Sequence, residues 1–232
     1  MKYMIIFVFL LYAISMFSQT STVVSYEIVP RAASTVTSAD GYDFSGIIDQ
    51  TRMGAQKINC ELRFNPSGAI FSVFGDDEQF PEAATAKILL RLHGTYFFDK
   101  KTEKYGMQLT KADKLINLLD TFQITWKINQ SVCKDILGYN CYFAEGYYYV
   151  YSFKRKKNIK YQLSAWFTPG LPVSYGPREY RGLPGLVLAG KLNKSFDIVA
   201  TSIKTVDSPP DFSILAKGID ITRVDYERKL SQ

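Results

Sequence analysis

The feature that constrains this chain most is a rhythm. From residue 22 to residue 206, short runs rich in β-branched and aromatic residues alternate apolar with polar and are separated by turn signals. TVVSYEIV (22–29) reads as a first strand, and KINCELRF (57–64) is joined to AIFSVF (69–74) through Asn-Pro-Ser-Gly, a hairpin signal. TYFFD and YGMQL flank a polar KKTEK turn. FQITWKINQ (122–130) puts Phe122, Ile124, Trp126 and Ile128 on one face. YYYVYSF (147–153), a basic turn and IKYQLSAWF (159–167) follow, and GLVLAGKL meets SFDIVATSIKTV through Asn193 and Lys194. One stretch breaks the rhythm: in FPEAATAKILLRL (80–92) the spacing of Ala84, Ile88, Leu89 and Leu92 predicts a short helix. The Ala/Ser/Thr/Gly-rich stretch from Ala32 to Gly46 reads as a loop, and the last twenty residues as a short strand with a charged terminus.

Short strands with tight connections, no sequence repeat and no βαβ alternation predict a mainly β fold. Such a sheet must curl, close or be covered. With 16 Phe, 16 Tyr and 2 Trp to fill a hollow face, the expectation is a strongly curved antiparallel sheet or incomplete barrel. It would be bowl-like, with at most one or two short helices. A length of 232 residues suits one domain, expected over 20–232.

Residues 1–19 have one basic residue, Lys2, then an uncharged apolar run from Tyr3 to Phe17, then small and polar residues, the layout of a signal peptide. The run is shorter than the ~20 residues that span a bilayer, so a cleaved, exported protein, periplasmic or extracellular, is expected rather than an integral membrane protein. Loss of Lys2 would take the formal charge from +6 to +5. The concentrated part, Lys154 to Lys157 with Lys160, reads as a solvated hairpin tip; an exported chain is not expected to meet nucleic acid, while anionic lipid or polysaccharide stays open. Closing the hairpin of KDILGYN around 136–138 would put Cys133 opposite Cys141, and a disulfide is expected there. Cys60 would then be a buried free thiol on its strand.

The densest punctuation is SYGPREYRGLPGLVLAG (174–190). Gly176-Pro177 and Pro184-Gly185 read as two turns, the second with Gly185 at positive φ, and between them Arg178, Glu179, Tyr180 and Arg181 would point outward. A phosphate loop would continue into Lys and Ser or Thr at a helix start; here the chain continues as a strand at Leu186. No Gly-x-Ser-x-Gly elbow occurs.

The segment Gly182-Leu183-Pro184-Gly185-Leu186-Val187 resembles the signature of the GLPGLI family of exported Bacteroidota proteins, with Val in place of the last Ile. Trp126-Lys127-Ile128, the stretch from Ile136 to Ala144, Ala165-Trp166-Phe167 and Gly176-Pro177 extend the resemblance, which runs from about Tyr26 to about Tyr226. It implies a bowl-like β domain of a kind also found at the front of some secreted glycan-cleaving enzymes. It also implies association with outer-membrane import systems, hence binding or envelope support rather than catalysis.

The residues agree that catalytic machinery is sparse. His93 is the one histidine, so a Ser-His-Asp triad or a histidine-rich zinc site has little to build on, and no metal or cofactor is expected. Asp76, Asp77 and Glu78 read as a solvated loop; Glu145 and Glu179 are the better candidates for a pair of hydrolytic carboxylates. Tyr147, Tyr149 and Tyr151 share one parity, joined by Tyr142 if a turn at Gly146 shifts the register, while Phe143, Tyr148, Val150 and Phe153 tend to the other, so one set faces a core and the second offers rings to sugar or peptide. The leading expectation is therefore a non-enzymatic module binding a peptide, glycan or partner protein, with Trp166, Tyr175, Arg178, Tyr180 and Arg181 at its rim. The alternatives are a carboxylate-dependent hydrolase acting on glycan or peptide, and an accessory subunit of an outer-membrane transporter that docks through the Gly-Leu-Pro-Gly-Leu corner.

Overall fold

A computed structural model describes residues 20–31 and 45–231; the expected signal peptide and most of the expected loop from Ala32 lie outside them. The strands are β1 (Ser21–Pro30), β2 (Asn59–Asn65), β3 (Gly68–Phe74), β4 (Thr95–Asp99), β5 (Lys104–Lys111), β6 (Lys114–Leu119), β7 (Thr125–Ile136), β8 (Tyr139–Ser152), β9 (Lys157–Thr168), β10 (Leu186–Lys191), β11 (Phe196–Val206) and β12 (Ile219–Thr222). They form one curved, unclosed sheet in the order β12-β6-β5-β4-β3-β2-β1-β11-β10-β9-β8-β7. Every pairing is antiparallel except β12 on β6. That parallel strand is delivered by a 3-10 turn, Phe212–Lys217, held by buried amides. Gln108 donates to Asn117 and to the Ile214 carbonyl, and Asn117 donates to the Leu215 carbonyl and Asp220.

The helices are α1 (Ser45–Ala55), α2 (Pro81–Leu89) and α3 (Arg223–Leu230). Only α2 was legible in the sequence. The charged C-terminus forms α3, capped by Thr222, whose hydroxyl accepts from the Asp225 amide. Ala83 and Ala86 of α2 share the main core with Val24 and Tyr26 of β1 and Leu62 and Phe64 of β2. Gly54 is needed where α1 crosses α2, because a Cβ there would run into the Glu82 carbonyl. A second core gathers Ala144, Tyr148 and Val150 of β8 with Leu163, Ala165 and Phe167 of β9, closed by Tyr180, Leu183 and Val187. Beyond Gly146 the strand parity is as the sequence predicts, with Tyr148 and Val150 buried and Tyr149 and Tyr151 exposed. But β8 passes Gly146 without a register shift, so Tyr142 lies on the Tyr148 face and packs on the second core instead of joining Tyr149.

The cysteine hairpin requires a correction. Its turn is the two residues Leu137 and Gly138, at φ 55° and 79°, rather than three residues centred on Leu137. Lys134 therefore faces Cys141 and Cys133 faces Tyr142. A one-residue offset sends the two thiols to opposite faces, so Cys133 is exposed, Cys141 is buried, and both are free, as is buried Cys60. Burial pushes the Cys60 thiol up to about 12.

Candidate functional site

The stretch between β9 and β10 folds back along β10, with the Leu186 amide donating to the Leu171 carbonyl and the Val187 amide to that of Tyr175. Two glycines permit this close approach. A Cβ on Gly185 would overlap the Thr168 carbonyl, and one on Gly176 would lie 2.7 Å from the Val187 Cβ. Within Gly-Leu-Pro-Gly-Leu the left-handed residue is Gly182, at φ 83°, so Gly185 is required by crowding and not by positive φ as expected from the Pro-Gly pair.

Nor do the residues between the two turns point outward. Tyr180 is 1% exposed. Its ring occupies the space over Gly190, where a Cβ would meet the ring at 2.6 Å. Its hydroxyl lies 3.0 Å from the Ser164 carbonyl and 2.8 Å from that of Lys191, with one proton to donate between them. Trp126 stacks near Tyr180, crosses the bare Cα of Gly146, and donates its indole N–H to the Arg181 carbonyl at 2.9 Å. Arg178, at φ 55°, is buried against its neighbour Glu179, with Nε 3.0 Å from Oε2 and a hydrogen bond from Nη2 to Oε1 at 3.1 Å. The Nε contact is electrostatic only, since Nε is not aligned for a hydrogen bond. Burial works against the Arg178 charge, but the Glu179 carboxylate, with Tyr96 and Tyr180, together outweighs it and holds the guanidinium's pKa above its ordinary value.

Arg181 reaches the other way. It lies over the rings of Tyr105 and Phe122, donates to the Phe122 carbonyl and pairs with Asp120 at 3.4 Å. Arg223 of α3 meets the same carboxylate at 2.8 Å. Burial lifts the Asp120 pKa, and the two guanidiniums limit that rise.

These tethers frame two connected hollows. The smaller, about 430 Å³, lies under α3 and is lined by His93, Tyr96, Phe122, Arg223, Tyr226 and Glu227 among others. The larger, about 860 Å³, is a notch where the sheet parts. β10 pairs with β9 only along Ala165–Thr168, whereas β8 continues beside β9 down to Lys157. The notch is therefore walled by Lys160–Ser164 of β9 on one side and Lys191–Lys194 on the other, with Leu89–Arg91 after α2 and Arg178-Glu179 across it. Arg91, Tyr148, Tyr161, Arg178 and Glu179 border both hollows.

Of the five residues expected at a rim, Arg178 lines the notch and Tyr180 fastens its upper end. Trp166 packs elsewhere, against Phe143 and under the Lys134 ammonium, and Tyr175 sits between Phe64 and Phe98. Glu145 and Glu179, the two carboxylates singled out from the sequence, both border the notch. Tyr161, Lys160 and Arg91 were missed; the mismatch between the six residues of β10 and the twelve of β9 becomes a signal only once the two strands are known to be neighbours. Among the described residues no cluster of His, Cys, Asp and Glu is arranged to hold a metal.

A family model described as a protein of unknown function (Porph_ging) matches residues 150–189, from the end of β8 through β9 and the corner into β10. No curated protein matches. Among solved structures, PNGF-II in a C2 crystal form is similar at a TM-score of 0.54 and 15% identity, covering 92% of this chain and 33% of that one. Its P21 form gives 0.53, 14%, 92% and 33%. The likeness is one of fold, and the chain spans about a third of PNGF-II.

Proposed function

We propose that this is an exported envelope protein of GLPGLI type, a non-enzymatic module that binds an extended polar ligand, peptide or glycan, in the notch beside β9. The observation that carries this reading is the notch itself. Its volume of about 860 Å³ falls within the range of ligand sites. Trp126, Tyr147, Tyr148 and Tyr161 line the notch beside polar groups of Lys160, Gln162, Arg178 and Asn193. Tyr148 is stacked between Phe122 and Tyr161, while Tyr147, under the Lys160 ammonium, is stacked on no other ring among the described residues. Aromatic groups beside donors that fix orientation are what an amphipathic ligand requires. The family resemblance to exported proteins supports the compartment, and a role beside an outer-membrane transporter is one way such a module would act.

The test is binding by the mature chain to glycan and peptide panels, followed by Tyr147→Ala, a partly exposed notch residue. Affinity for the retained ligand is expected to fall up to about tenfold with little change in melting temperature. Equal binding by the variant and by a second one, Gln162→Ala, would remove the notch as the site. The hydrolase alternative keeps one observation in its favour, that Glu145 and Glu179 border the same notch. Cleavage of a retained ligand, lost in both Glu145→Gln and Glu179→Gln with folding intact, would replace the binding reading by that one.

A further inference from the structure

We infer that the notch takes an extended acidic peptide as an added β-strand on the free edge of β9, an inference that rests on the binding reading above. Between Lys157 and Ser164, β9 is paired with β8 alone, in continuous register and without a bulge. In a strand each residue directs its N–H and C=O to one side, alternating along the chain. The Ser164 carbonyl, met by Tyr180, points away from β8, so those of Gln162 and Lys160 point into the notch and that of Asn158 points the same way just beyond it. No backbone partner meets these three residues among the described residues. The result is a row of donors and acceptors repeating about every 6.6 Å, a spacing that another extended backbone reproduces and a pyranose chain does not.

The sheet's outer edges are bulged or short; the free length of β9 carries exposed Lys157 and Lys160 but is neither. β7 carries a bulge between Asn129 and Cys133 and exposes Lys127 and Lys134, while β12 is four residues long. The inner edge of β9 instead lies between the walls of the notch, with Lys191–Lys194 facing it.

Charge sets the ligand's character. Arg91, Lys127, Lys160, Lys191 and Lys194 border the notch, and none has an ion pair among the described residues. Lys160 instead rests over the Tyr147 ring and Arg91 over that of Tyr161. Against them stands Glu145, because the Glu179 carboxylate is engaged by Arg178. The lysines Lys154, Lys156 and Lys157 at the start of β9 continue the positive potential along the edge. An added strand would lay alternate side chains beside Lys160 and Gln162 on one face and beside Tyr161 and Leu163 on the other, so the fitting sequence alternates acidic with apolar residues.

Selection from a random displayed peptide library on the full mature chain tests this. Enrichment of peptides alternating Asp or Glu with apolar residues is expected. A synthetic winner should lose about tenfold or more in affinity when backbone amides of one parity are N-methylated, and little when the other parity is. Lys160→Glu with Lys194→Glu should weaken it by a similar factor, whereas Lys154→Glu with Lys156→Glu, outside the notch, should have a small effect that salt removes. No alternating acidic enrichment, or equal tolerance of methylation at both parities, overturns the inference. Retention of an oligosaccharide with no peptide selected overturns it and leaves the binding reading standing; retention of neither ligand class removes both.

Discussion

At the scale of single residues, the corner motif is a set of close approaches. Gly185 lets the chain pass the Thr168 carbonyl, Gly190 makes room for the Tyr180 ring, and Gly146 makes room for Trp126. The motif could be read from the sequence as a structural corner, but its reason could not, because crowding by residues far along the chain leaves no local signature. Proline before glycine suggested positive φ at Gly185, and the left-handed residue within Gly-Leu-Pro-Gly-Leu is Gly182. The two explanations differ in what alanine does. Gly185→Ala is expected to cost about 1–3 kcal/mol, since backbone rather than a flexible side chain must give way. Gly182→Ala would put its Cβ in ordinary contact with the Trp126 indole, without overlap, and carries the left-handed penalty, about 1–2 kcal/mol. Chemical denaturation of both variants checks this; an unchanged midpoint for Gly185→Ala would show that the approach to Thr168 relaxes freely. The disulfide expectation failed for a related reason. Two closures of the same hairpin differ by one residue, and both Leu137 and Gly138 adopt the left-handed conformation that selects the shorter turn.

At the scale of elements, α3 shows how a segment with no buried residue can still be placed by charge. Helical apolar spacing is absent from RVDYERKL, which is why the sequence suggested only a charged tail. What holds α3 is Arg223 on Asp120, with Tyr226 beneath the Lys111 ammonium and Arg228 over the Phe153 ring. The helix also brings Arg223 towards His93, which stands on the lip of the smaller hollow. Partial burial, then Arg178, Arg223 and Arg91, lower the His93 pKa, while Glu179 and Glu227 border the same hollow. A histidine whose folded pKa lies below its unfolded value of about 6.5 binds fewer protons in the folded state. Its contribution is therefore intact above about pH 6.5 and is lost as pH falls through that value. Stability measured from about pH 7.5 down to pH 5 is expected to decline more steeply for the natural chain than for His93→Gln. Parallel slopes would show that burial and the three guanidiniums together do not lower the His93 pKa.

At the scale of the whole molecule, the sheet is continuous in order but not in width, and function is proposed where the width changes. Strand rhythm made the mainly β class, the curvature and most strand positions legible, because alternation is a local property of the sequence. The notch depends on which strands neighbour one another and on how far each pairing runs. That information is spread over β8, β9, β10 and the β10–β11 turn, and an alternating pattern reads the same whether a strand has one neighbour or two. Hydrogen exchange distinguishes these cases residue by residue. Along the lower half of β9, the amides of Ile159, Tyr161 and Leu163 face β8 and are expected to be protected, while those of Asn158, Lys160 and Gln162 face the notch and exchange near the rate of an open chain. In Ala165–Thr168, where β10 closes the other side, the alternation should vanish and all amides should be slow. Uniform protection from Lys157 to Thr168 would mean that the edge is covered and the notch is not a site. The same amides report occupancy, because a ligand that binds by strand addition must slow Lys160 and Gln162 selectively, whereas one held by side chains alone leaves their exchange unchanged.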